Sequence, residues 1–215
     1  MLMNYKSSVD RAKSYVNDFL KRSDKSSDVI VDEKIWQINK KYIAVQTSAD
    51  ILIINQHRAH FKILYDQFLE SINGKSLGGQ TLLFPEKIEL SFDLKSTLMD
   101  MLPFLEKTGF RFREFSDESL IISSIPTEIA WGNEKVILEN LLKHFSLPKI
   151  KTLPLDIELA KVLSKNIAIK ENEFVDLNQL KEIFNKLFGC IKPMYCPEGN
   201  KIYHLIKCTD IDKHF

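Results

Sequence analysis

Cysteine, glycine and proline are all scarce in this sequence: three, seven and seven of 215 residues. Three cysteines, Cys190, Cys196 and Cys208, are an odd number and too few for a disulfide scaffold, which fits a reducing compartment. None of the seven glycines falls into a nucleotide-binding pattern, so the chain carries no ATP-binding loop of its own. A charge excess is also missing. Thirty basic side chains stand against 29 acidic ones, a formal charge of +1, which excludes non-specific phosphate binding by bulk charge. Any DNA contact would need a local patch or another part of a longer protein. No apolar run approaches the ~18–20 residues of a membrane span, and no basic-plus-apolar start marks a secretory signal. The expectation is a soluble cytoplasmic protein with no membrane partner.

What is present is ordinary globular chemistry, 44% hydrophobic and 27% charged. A helical period over Val9–Arg22 leads into the polar stretch Ser23–Asp28, so residues 1–28 read as a tether, and the chain as a fragment of something longer. Ile35–Asn39 and Tyr42–Gln46 read as paired strands joined by Lys40-Lys41. Ser48-Ala49-Asp50 reads as a turn and Ile51–Ile54 as a strand buried on both faces. Asn55 is a good helix N-cap, and Phe61, Leu64, Phe68 and Ile72 then recur at helical spacing.

After the flexible NGKSLGG stretch, Asn73–Gly79, come Gln80–Pro85, a strand at Lys87–Phe92 and a helix from Leu94 to Lys107 stopped by Gly109. A hairpin follows, Phe110–Phe115 with Ser119–Ser124 around Asp117-Glu118. Helices are expected at Glu134–His144, Asp156–Lys170 and Asn178–Phe188, then a loop at Cys190–Asn200, a strand at Lys201–Ile206 and a short helix at Asp210–Phe215. The class is α/β or α+β in two lobes.

The stretch INQHRAHFKILYD, Ile54–Asp66, sets His57 and His60 three residues apart at a helix start. Such histidines either cap and pack the helix end or hold a metal, and a metal needs further ligands from elsewhere. Cys196, in the loop YCPEG, is the obvious one.

The same stretch resembles the Asp-Gln-His-Ala-x-x-Glu-x-x-x-x-Glu motif of the MutL C-terminal domains of DNA mismatch repair. LSKNIAIK at Leu163–Lys170 resembles that family's Ala-Cys-Lys-x-x-Ile-Lys motif, and Cys196–Gly199 resembles its Cys-Pro-His-Gly loop. Phe215 stands where members carry a terminal Phe-x-Arg. Order and spacing agree from about Ile35 to the end.

The resemblance implies a dimerising lobe built from both ends of the chain, residues 29–79 and 191–215, with a regulatory lobe inserted at 80–190. It implies self-association into a homodimer through the Ile35–Ile54 strands and Ile202–Ile206. It also implies contact with a mismatch-recognition protein, and with DNA through the full-length protein.

The departures from the family pattern bear on catalysis. Competent relatives supply an Asp, a His and two Glu from the first motif to a divalent metal centre. Here those positions are Asn55, His57, Phe61 and Asp66, with Gln56 retained; the middle motif's Cys falls on Lys165, and the loop's His on Glu198. Metal-assisted phosphodiester cleavage needs anionic ligands, so the resemblance implies a vestigial site without nuclease activity and with no metal expected. His57 and Cys196, with Glu198 and Asp66 nearby, remain weak candidates for Zn or Mn. An altered-ligand nicking endonuclease is the alternative.

Gln80-Thr81-Leu82-Leu83-Phe84-Pro85 fits the Gln-x-x-Leu-x-Pro form of peptides that bind the replication sliding clamp. There Gln80 would hydrogen-bond while Leu83 and Phe84, followed by Pro85, fill an apolar pocket. Otherwise Leu83 and Phe84 begin the next lobe's core. The resemblance favours the clamp, because family members carry such a segment at this place.

Overall fold

The computed structural model describes residues 34–47, 50–74, 76–113, 119–147 and 153–215. The expected Val9–Arg22 helix, the 23–28 linker, and the turns at Ser48-Ala49 and Asp117-Glu118 lie outside them. The chain is mixed α and β, with a four-stranded and a three-stranded antiparallel sheet. It forms two compact units: the first runs to Leu64 and resumes at Ala168–Phe215, and the second is Tyr65–Ile167. The segment 168–190, read from sequence as part of the inserted lobe, makes its contacts in the first unit.

In the first unit β1 (Ile35–Ile38), β2 (Tyr42–Gln46), β3 (Asp50–Asn55) and β7 (Tyr203–Lys207) form an antiparallel sheet in the order β1-β2-β3-β7. Asn39 and Lys40 take φ of 48° and 49°, and Lys41 N–H donates to Ile38 O at 3.0 Å, a two-residue hairpin turn whose twist matches the strands. Register sorts the side chains by face. Ile35, Val45 and Leu52 align in one row and Ile43, Ile54 and Tyr203 in the next, and all six are buried. The alternate positions put Trp36, Ile38, Tyr42, Ile51, Ile53 and Ile206 on the opposite face, where none is fully buried and Trp36 is 42% exposed.

Helix α1 (Gln56–Asn73) leaves β3 directly, with Asn55 Oδ1 accepting the Arg58 N–H at 2.9 Å, the cap expected from sequence. Helix α5 (Leu177–Leu187) packs against β1. It opens on a capping box, Asp176 with Gln179, and buries Leu180, Ile183, Phe184 and Leu187. The rings of Phe184, Phe188 and Tyr203 then carry the core onto β7, at centroid spacings of 4.9 and 5.4 Å.

The second unit has the sheet β4 (Gly79–Glu89), β6 (Ser119–Pro126) and β5 (Arg111–Arg113), in the order β4-β6-β5. With it lie α2 (Phe92–Lys107), α3 (Glu134–Ser146) and α4 (Leu155–Ile167). Leu98, Met101 and Leu105 of α2, Leu138, Leu141 and Leu142 of α3, and Leu159 and Leu163 of α4 are fully buried. Gly79 is required where it stands, because a Cβ there would fall on Gly109 O and Ser124 Oγ.

Several boundaries differ from the sequence reading. The strand expected at 87–92 is the end of one long strand from Gly79, and Phe92 already begins the helix. The last strand starts at Tyr203, and the final helix, α6, is Cys208–Asp212. All three cysteines are free thiols. Among the described residues no helix is long and apolar enough to cross a membrane.

Candidate functional site

The corner between β3 and α1 is built around a buried amide. Gln56 is 0% exposed and its side chain is fully employed: Oε1 accepts from Gln37 Nε2 at 2.7 Å, and Nε2 donates to Lys40 O at 2.7 Å and to Glu173 O at 3.0 Å. An amide offers both donor and acceptor, which a turn carbonyl and a neighbouring amide together require. Gln56 therefore serves the fold.

One step along the helix, two histidines hold the backbone of a single residue, Ile169. His57 Nδ1–H donates to Ile169 O at 2.7 Å, and His60 Nδ1 accepts from Ile169 N–H at 3.0 Å. The first bond makes Nδ1 the donor nitrogen of His57, the arrangement that metal-ligating histidines also use. Beside it, however, stands the ring of Phe61, 1% exposed, its centroid 6.3 Å from the imidazole at 29°. The phenyl ring offers neither charge nor lone pair to a cation. Burial, assisted by the Lys186 ammonium, lowers the His60 pKa to about 4, so the ring is neutral, as an acceptor must be.

The other predicted positions are distributed. Cys196 is buried in the first unit, in a turn closed by Gly199 N–H to Cys196 O at 2.8 Å and Cys196 N–H to Asn200 O at 2.9 Å. Glu198 is exposed on that turn. Pairing of β3 with β7 brings the start of α1 against the residues just after this loop: Asn55 N–H donates to Ile202 O at 2.8 Å and Arg58 to Lys201 O at 2.9 Å. Asp66 and Lys165 belong to the second unit. Among the described residues no three His, Cys, Asp or Glu side chains are grouped so as to hold a metal ion.

The segment Gln80–Pro85 lies on β4, an edge strand. Thr81 pairs with Ser124 and Glu86 with Ile122, so Leu82–Pro85 stand opposite Ser123 alone and bulge from the ladder. Leu82 turns inward, while Leu83 and Phe84 are 74% and 87% exposed, so these two do not begin a core. Gln80 is held: Nε2 donates to Ile129 O at 2.7 Å and to Pro126 O at 3.4 Å, and Oε1 accepts from Trp131 Nε1–H at 2.8 Å. Sequence gave no reason to single out Trp131, since its link to Gln80 spans 51 positions.

A family model described as the MutL C-terminal dimerisation domain matches residues 35–175. The DNA mismatch repair protein MutL of Prosthecochloris aestuarii is 31% identical over 185 residues, 86% of this chain and 30% of that protein. The same-named proteins of Christiangramia forsetii and Flavobacterium johnsoniae are 31% and 32% identical, covering 86% and 85% of this chain and 30% and 29% of theirs. The chain thus spans about 30% of the length of the curated relatives it matches.

Proposed function

Because the chain belongs to the MutL C-terminal dimerisation domain family, we propose that it joins two copies of itself through the outer face of the β1-β2-β3-β7 sheet. The observation that carries this reading is the set of apolar side chains on one sheet face, Trp36 exposed and Ile38, Tyr42, Ile51, Ile53 and Ile206 half-buried. Apolar sheet faces of this kind are covered in stable proteins, and an obligate dimer typically buries ~2,000 Å² or more. In a longer protein such a junction would hold two N-terminal ATPase regions close to DNA and to a mismatch-recognition protein. Light scattering should give twice the 25.0 kDa chain mass. A single-chain mass at tens of micromolar overturns the reading.

The domain acts in this proposal without cleaving DNA. Asn55 supplies no charge to a cation, and Phe61 fills a ligand position with carbon. The bulge at Leu83-Phe84 serves as the contact for a sliding clamp, with two apolar side chains already presented to solvent.

A further inference from the structure

We propose that Trp36 of one copy seats in a pocket on the same sheet face of the second copy, so that the interface holds two identical anchors. The inference rests on the self-association reading above and names the contact that carries it. The pocket encloses about 290 Å³, and Tyr42 and Ile53, two of the side chains on the outer face of the sheet, line it. A well-packed interface fills such a concavity with a side chain from the opposing surface.

Register shows which side chain can do so. Trp36 aligns with Ala44, Ala44 with Ile53 and Ile53 with His204, one row running across all four strands. Trp36 stands at the β1 end of that row, 42% exposed, and the pocket lies toward the β3 and β7 end. Two strand spacings, roughly 10 Å, separate Trp36 from Ile53. Trp36 takes no part in the wall of its own chain's pocket. A two-fold axis near the middle of the sheet carries each Trp36 over the other copy's pocket, and both contacts form together.

The pocket's chemistry suits an indole. Lys41, Arg58 and Lys201 bring three cations to its wall, and a cation favours the face of an aromatic ring, tryptophan most of all. Lys41 Nζ already lies 5.8 Å from the centroid of its own Tyr42 ring. Glu171, also in the wall and 3.4 Å from Lys41, offers carboxylate oxygen to an indole N–H, a donor that needs a partner once buried. Ile38, Ile51 and Ile206 on the same face have only hydrocarbon to offer those groups. Buried aromatic anchors of this kind carry most of the binding energy in protein interfaces.

Trp36→p-benzoylphenylalanine tests the location directly. Irradiation should give a covalent species of twice the chain mass, its cross-link mapped by mass spectrometry to residues 41–58 or 201–204 of the second copy. Should this variant form no covalent dimer, a double-mutant cycle of Trp36→Leu and Arg58→Ala, followed by sedimentation, decides. Within one chain Trp36 lies outside the wall that Arg58 lines, so coupling reports contact between copies. The two substitutions should be coupled by a factor of about five or more. A dimeric wild type with the cross-link mapped elsewhere, or with the two substitutions independent in the cycle, overturns the anchor and leaves the dimer standing. A wild-type chain of single-chain mass removes both.

Discussion

His60 is tied to Ile169 by a hydrogen bond in which the histidine is the acceptor, Ile169 N–H to Nδ1 at 3.0 Å. Protonation removes that lone pair, and burial with the Lys186 charge already holds the imidazole at a pKa of about 4. An unfolded chain would titrate the same histidine near 6.5 and so binds the proton more readily. The stabilising contribution is complete above about pH 6.5 and is lost as pH falls toward 4. It amounts to about 3 kcal/mol in all. Urea denaturation at pH 7.5 and pH 5 should show the fall, and His60→Asn should flatten it. An unchanged pH slope in that variant would remove His60 from the account.

Phe61→Glu should destabilise the domain by about 3–5 kcal/mol, since it places a carboxylate where only 1% of the residue meets solvent. Combined with Asn55→Asp, the variant should recover thermal stability when Mn²⁺ or Zn²⁺ is added, and the unmodified chain should not. Plasmid nicking by the unmodified chain that EDTA blocks and His57→Ala abolishes would replace the non-catalytic reading with the nuclease alternative.

Trp36→Glu should weaken self-association about 100-fold or more, because a carboxylate on an apolar face must be desolvated on contact. Sedimentation across a concentration series reads the change directly. Circular dichroism should remain that of a folded chain, since Trp36 is on the accessible side of β1. A variant that dimerises normally would move the interface elsewhere.

Trp131→Phe deletes the indole N–H that holds Gln80 at 2.8 Å. If Gln80 must turn outward to meet the clamp, loss of this one neutral bond should tighten clamp binding about fivefold. Leu83→Ala with Phe84→Ala should abolish it. Surface plasmon resonance against immobilised clamp gives both numbers. Absence of binding by every form would end the clamp proposal itself, whereas equal binding by wild type and Trp131→Phe would end only the restraining role of Trp131.

Much of the first unit was legible in sequence because its signals are local. Alternation over Ile35–Gln46, the Asn55 cap and the helical period through Phe61 and Phe68 each depend on neighbours within a few positions. The bulge at Leu82–Pro85 was not legible, because it arises from register with β6 some 40 positions away. The grip of His57 and His60 on Ile169 likewise links residues 112 and 109 positions apart, and no spacing rule reports it. His-x-x-His at a helix start reads the same in sequence whether it packs or ligates. The choice depends on what stands beside it, and here Phe61 does.

Strand β3 receives its second neighbour very late: Ile53 pairs with His204 and Asp50 with Lys207. On a ribosome, the edge of β3 stays open while the whole of residues 65–167 is synthesised, and it closes only after Lys207 has emerged. Throughout that interval an apolar strand, Ile51–Ile54, offers unpaired backbone to any other nascent chain, the geometry from which strand-mediated aggregation starts. A transcript truncated shortly before Tyr203 would leave that edge permanently open, so such products are expected in inclusion bodies even though the second unit's sequence is intact.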